Sequence, residues 1–478
     1  MKKLFTLFLA LAATTSLFAA GTKIGDLYYD LWESDLTATV RYNTSTDANY
    51  NYLTTVNIPA TITYNNKTYA VTAIGEYAFR NASTITQIVI GDSIKSIGDR
   101  AFENCSKLTK VTLKCDKFVS KSFKRDANIG AIFGEQVTDY VIGDGVKTIG
   151  TYAFADCANM QRITISNTVT DIKSIAFYAC TGLTKVSLPN SVTYVGQEVF
   201  RFCDNLTAPV YNKHVYAYMP PKICPESVTI QEGITLIATH AFRDCKALKS
   251  VTLPQSLQEL GMYAFGICTN LTTINFPNNI RSVGFNAFCE SGISTPLYNE
   301  YIYAYMPPSL MVASVSIPEG IQVIAGGAFS ECTELQNADI PNSVTHINQY
   351  AFYNSGLKRV SIGKNVKWFE SYTFSNCSRL EEIYNFAVTP QNITASDFGG
   401  TNAVDKTKCK LYVPEASVEA YKAANVWKDF GDNIIGMDEG IEEVLANPET
   451  NGRKVIIDGQ VYILNNGKAF TLQGQELK

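Results

Sequence analysis

Three histidines and twelve cysteines are the side chains of this 478-residue chain best suited to metal binding or nucleophilic chemistry. His214, His240 and His346 are dispersed and match no metal-ligand spacing. His240 stands before Ala241, where comparable segments carry Arg100, Tyr152 or Tyr350, and reads as a variable, solvent-facing residue. The chain has no Cys-x-x-Cys pair, His-Glu-x-x-His, Gly-x-Ser-x-Gly, phosphate loop or dinucleotide fingerprint. Carboxylates such as Glu334, Asp339, Glu381 and Glu382 fall on strands or turns, without a converging pair whose surroundings would raise a pKa. Catalysis is not expected, nor is a metal or cofactor.

The cysteines point instead to architecture. Cys105, Cys157, Cys180, Cys203, Cys245, Cys268, Cys332 and Cys377 each follow a phenylalanine by three residues, where other segments place Ala82, Ser291 or Ser355. A position that accepts Cys, Ala or Ser asks for a small buried residue, so a ladder of free thiols is favoured over disulfides. Cys115, Cys224, Cys289 and Cys409 lie off this ladder, and their redox state stays open.

The phenylalanines themselves recur as Ala-Phe: Phe79, Phe102, Phe154, Phe177, Phe200, Phe242, Phe265, Phe288, Phe329, Phe352 and Phe374, with only Val199 and Thr373 replacing the alanine. Phe79 to Phe102, Phe154 to Phe177 to Phe200, Phe242 to Phe265 to Phe288, and Phe329 to Phe352 are all steps of 23 residues. A period of that size marks a leucine-rich-repeat solenoid, whose coils bury their apolar faces only by stacking. In "LTKVSLP", Leu183, Val186 and Leu188 point inward while Thr184, Lys185 and Ser187 face out. A second short strand comes from pieces such as Val146 to Gly150, and Ala-Phe-x-x-Cys turns the chain.

Three longer steps, Phe102 to Phe154, Phe200 to Phe242 and Phe288 to Phe329, each read as one further coil without the Ala-Phe turn. Fourteen or so layers at about 4.8 Å predict a body roughly 65 Å long. Two of the longer steps contain a duplicated phrase, "YNKHVYAYMPP" from Tyr211 and "YNEYIYAYMPP" from Tyr298. Alternation puts Val215, Ala217 and Met219 on one face and Tyr216 and Tyr218 on the other, with Tyr303 and Tyr305 as the second copy. The aliphatic face fills the core. The tyrosines either pack over a neighbouring coil, which the broken period favours, or stand out as aromatic platforms for a protein or sugar.

The unit "SIKSIGDRAFENCSKLTKVTL" from Ser93 to Leu113, repeated in register from about Val71 to Tyr384, resembles the BspA-like leucine-rich repeat of bacterial surface proteins. The resemblance implies a right-handed solenoid with a curved parallel sheet. It also implies a surface or secreted protein, in some members an adhesin for host matrix proteins such as fibronectin or fibrinogen.

The domain reading follows. Residues 1–20, with Lys2 and Lys3 ahead of an apolar stretch and small residues at Ala19 and Ala20, have the layout of a secretory signal peptide. No later apolar run reaches the roughly 20 residues of a membrane span. Residues 21–70 read as a β cap, with a turn at Asn65 and Asn66; 71–385 as the solenoid; 386–439 as a strand-helix cap opened by Pro414 and Glu415. Residues 440–478 read as a β tail with Asp-Gly and Asn-Gly turns. The tail resembles the sorting signals some Gram-negative bacteria use for type IX secretion and surface attachment, and equally fits a small β element packed on the cap.

The exposed sheet face is the binding candidate. One outward row holds Thr112, Thr164, Ser187, Thr252, Asn275, Asp339 and Ser361; its neighbour holds Lys110, Arg162, Lys185, Arg359 and Glu382. Hydroxyls and spaced cations suit a large polar ligand, and they also suit plain solvent-facing strands. With a formal net charge of −4, nothing in the overall balance marks a polyanion binder, and nucleic acid is not an expected partner. An extracellular protein or polysaccharide is. A spacer without a ligand, and a glycan-binding module using Tyr216, Tyr218, Tyr303 and Tyr305, are the competing readings.

Overall fold

The computed structural model describes residues 21–42 and 49–437 and the strands 453–457, 460–465 and 468–471. The signal-peptide reading and the two turns of the tail lie outside the described residues. The chain divides into two compact units: residues 1–194 with 199–206, and residues 195–198 with 207–478.

Each unit is a stack of coils whose strands pair in parallel. In the first, Thr55–Ile58, Gln87–Ile90, Lys110–Leu113, Asp139–Ile142 and Arg162–Ile165 form one sheet without register shifts. The inward residues of Lys110–Leu113 are Val111 and Leu113, both fully buried, and the outward ones are Lys110 and Thr112. Parallel pairing begins inside the segment read as a cap, where Thr37–Val40 pairs with Lys67–Ile74 and Thr55–Ile58 with Gln87–Ile90, Val56 and Ile58 alternating like the inward residues of later coils. Directly after Thr55–Ile58, Thr61–Tyr64 and Lys67–Ile74 form a hairpin whose turn residues Asn65 and Asn66 have φ of 48° and 60°.

In the second unit, Ser314–Ser316, Asn337–Ile340, Arg359–Ile362, Glu382–Asn385, Lys410–Pro414 and Ile434–Met437 form one parallel sheet. The helix Val418–Ala423 and the turn after it bring Tyr421 and Trp427, both fully buried, against the end of the stack. Trp427 packs edge-on to Phe398, and its indole N–H donates to the Gln391 carbonyl at 2.9 Å. Arg453–Ile457, Gln460–Asn465 and Lys468–Thr471 pair antiparallel as a three-stranded sheet.

The Ala-Phe turn explains the repeat. The phenylalanine N–H donates to the alanine carbonyl one coil on: Phe79 to Ala101, Phe154 to Ala176, Phe242 to Ala264 and Phe329 to Ala351, all at 2.7–2.8 Å. The rings then stack nearly parallel, with centroids 5.3 Å apart for Phe154 and Phe177 and 4.9 Å for Phe329 and Phe352. The turn carries a left-handed residue on either side of Ala-Phe, for example Tyr152 and Asp156, or Tyr263 and Ile267. Glycine takes one of these positions, Gly327, and most of the others are residues that do not favour this conformation, so the sequence hides them.

All twelve thiols are free. Cys105, Cys180, Cys203 and Cys268 donate their S–H to the carbonyls of Phe79, Phe154, Phe177 and Phe242 at 3.0–3.1 Å. The site therefore asks for a small residue and rewards a weak donor, which accounts for Cys and Ser sharing it. Burial pushes the Cys105 and Cys268 thiols up to about 12, so they are inert as nucleophiles at neutral pH.

The three coils without Ala-Phe find other rings. Phe133, on the helix Ile129–Phe133, lies 4.6 Å from Phe102. Tyr216 stacks between Tyr211 and Phe242, at 5.4 and 4.6 Å, and Tyr303 does the same between Tyr298 and Phe329. Val210–Tyr211 pairs antiparallel with Val215–Tyr218, and Leu297–Tyr298 with Ile302–Tyr305. The hairpins are closed by Asn212 and Asn299, whose Oδ1 atoms each accept two backbone N–H groups at 2.8–2.9 Å.

Candidate macromolecule-binding faces

Every residue of Val215–Tyr218 and of Ile302–Tyr305 is buried, not only the aliphatic ones. Tyr216, Tyr218, Tyr303 and Tyr305 are 4%, 6%, 2% and 8% exposed. The platform reading of these four tyrosines is corrected. Both faces of the strand are buried, and the tyrosine side itself enters the core, with Tyr216 stacked on Phe242 and Tyr303 on Phe329, so alternation does not turn one side to solvent. Burial also raises the Tyr216 and Tyr303 phenols well above their ordinary value. His240 is likewise only 8% exposed, stacked on Tyr263 with ring centroids 5.4 Å apart and with Nδ1 3.5 Å from Glu198. It is not the solvent-facing residue its variability suggested.

The cationic row resolves into two local patterns. In the first unit, Lys110, Asp139 and Arg162 are register partners on adjacent strands. Arg162 grips Asp139 through two guanidinium nitrogens, and this hydrogen bond holds the Asp139 carboxyl below the usual range, with Lys110 adding to it. Lys185 is exposed on the following coil. The row is thus of mixed sign, since an aspartate stands between the first two cations.

In the second unit the partners run Asn337, Arg359, Glu382 and Lys410, and beside them Asp339, Ser361, Tyr384 and Tyr412. Arg359 donates to Asp339 at 2.9 Å and sits over the Tyr384 ring; Ser361 donates to the same carboxylate at 2.8 Å. Tyr384 and Tyr412 stack at 4.5 Å with planes 9° apart, both half-buried, and Tyr384 donates to Glu382 at 3.3 Å. Burial first, then the Glu382 charge, raises the Tyr384 phenol. The structure thus places Arg359 beside an aromatic pair that the sequence reading passed over. The signal was available: "EIYN" and "KLYV" put tyrosine at one register position on neighbouring strands.

Among the described residues no group of three or more His, Cys, Asp or Glu is arranged to hold a metal, and no helix is long and apolar enough to cross a membrane.

Several solved structures are similar to this chain. A leucine rich cell surface protein of Faecalibacterium prausnitzii shares 25% identity, covering 76% of this chain and 94% of its own, with a TM-score of 0.33. A leucine-rich repeat protein of Bacteroides ovatus shares 20%, covering 87% and 100%, with a TM-score of 0.31. The pneumococcal vaccine antigen PcpA shares 18%, covering 87% and 98%, with a TM-score of 0.35. No curated protein matches. The family described as BspA type leucine rich repeat region matches in six copies, over residues 48–137, 131–218, 221–306 and 299–410. With the coil, the ring ladder and the parallel sheets agreeing along that span, the chain belongs to the BspA-type leucine-rich-repeat family.

Proposed function

We propose that this protein is exported and binds an extracellular macromolecule, in the manner of an adhesin, through the outward face of its solenoid sheet and without catalysis. The observation that carries this reading is the patch on the second unit, where Arg359, Glu382 and Lys410 alternate in sign beside the stacked Tyr384 and Tyr412. Rigid strands hold these groups in fixed register, so a partner meets them with little ordering cost. Half-buried tyrosines beside an arginine are the residue types that dominate protein–protein contacts, which favours a protein ligand on this patch. The patterned charge sets orientation more than affinity. Lys110, Arg162 and Lys185 supply a second polar stretch of the same kind on the first unit. The β strands within 453–471 fit a sorting or attachment element, with display at the outer surface.

The test is binding of the purified protein to immobilised host matrix proteins, fibronectin and fibrinogen first. A Tyr384→Ala/Tyr412→Ala variant and a charge-reversed variant at Lys110, Arg162 and Lys185 run alongside. Saturable binding lost in either variant supports the reading. Failure to bind any matrix protein favours a spacer that displays something else.

A further inference from the structure

The six residues by which the Phe102 to Phe154 step exceeds two ordinary coils fall in a segment of unusual charge. Between Lys107 and Asp126 the chain has seven cations and two carboxylates, in a protein whose formal net charge is −4. Arg125 is committed to Asp156, at 2.8 Å through Nη2, and Lys110 faces Asp139. Lys114, Lys117, Lys121 and Lys124 are exposed, and none has an ion-pair partner among the described residues.

The fold adds two more cations from the flanking coils. The short helix Asp116–Val119 replaces the strand found in other coils, and Lys121 donates its ammonium to the Lys95 carbonyl one coil back. One coil on, the Lys147 amide donates to Asp116 at 2.8 Å, and the Lys114 side chain lies over Gly143, where a Cβ would come within 2.9 Å of it. Lys95 and Lys147 are exposed and likewise have no ion-pair partner among the described residues. Of the nearby carboxylates, Asp116 accepts from the Lys147 and Thr148 amides and Asp144 from the Ser166 hydroxyl, while Asp126 is exposed beside Arg125.

We propose that Lys95, Lys114, Lys117, Lys121, Lys124 and Lys147 form a binding site for a sulfated polysaccharide chain. Six ammonium groups without a carboxylate partner among the described residues, spread over three stacked coils, repel one another, and an extended polyanion relieves that repulsion at every step. Lysine-rich runs of this density suit heparin-like ligands. Nucleic acid is disfavoured because the site lacks stacking platforms: Phe118 is buried and Phe123 half-buried. The choice of polysaccharide rests on the proposed placement outside the cell; the site itself is separate from the sheet face.

The test is binding of the purified protein to immobilised heparin at 50 mM salt. A Lys114→Gln/Lys117→Gln/Lys121→Gln variant, desulfated heparin, anionic phospholipid vesicles and single-stranded DNA run in parallel. The expected result is binding that the triple variant weakens at least about tenfold, that desulfation abolishes, that rising salt releases, and that charge reversal at Arg162 and Lys185 leaves intact. Equal heparin binding by wild type and triple variant overturns the site. Binding of vesicles or DNA but not heparin overturns the ligand. Neither result bears on whether Tyr384 and Tyr412 engage a protein.

Discussion

Coils that keep the Ala-Phe turn and coils that lose it differ in what they do with the same space. A regular coil such as that of Phe242 supplies a ring, a small residue at the thiol site and an amide that reaches the next coil. An irregular coil still supplies the ring, from Phe133, Tyr216 or Tyr303, but frees its remaining residues. In the irregular coil of the first unit those residues are lysines. Stability sits in the repeated positions, and individuality in the departures from them.

The sharpest way to break this comparison is to remove a ladder ring. Phe242→Ala is expected to cost about 3–5 kcal/mol by denaturant titration, whereas Tyr216→Phe, which keeps a ring in the irregular coil, should stay within about 1 kcal/mol. A large loss from Tyr216→Phe would mean that the irregular coils depend on the phenol and not on the ring. At the thiol site, Cys180→Leu overpacks a fully buried position and should cost about 1–3 kcal/mol. Cys180→Ser, which can still donate to the Phe154 carbonyl, should cost less. Equal melting temperatures for the two would refute the small-donor account. The smallest expected effect is a gain: Ile267 is β-branched at φ 60°, so Ile267→Asn should stabilise by up to about 1 kcal/mol, read as a raised thermal midpoint.

Much of this was legible in the sequence, because stacking forces each coil to repeat the same residue types at the same places. The period, the Ala-Phe turn, the inward positions of Val186 and Leu188, and the family follow from that demand. Three features did not follow. Tyr216 and Tyr303 enter the ring ladder on a strand buried on both faces, and a rule of alternate faces assumes one side open to solvent. The left-handed residues of the Ala-Phe turns are tyrosine as often as asparagine, and glycine only at Gly327, so glycine does not announce them. The lysine cluster vanished into a net charge summed over the whole chain, while electrostatic attraction acts over about 8 Å at physiological salt.

Asn212 and Asn299 close equivalent hairpins in the same unit with the same pairs of hydrogen bonds. Because a coil's free energy in such an array depends mainly on its immediate neighbours, a cut at one hairpin can be rejoined at the other. Deleting residues 213–299 would present each surviving coil with a neighbour of the type it already has. Copy number is then a quantity this architecture can change by recombination, with cooperativity of unfolding shrinking in proportion and the two flanking surfaces left as they were.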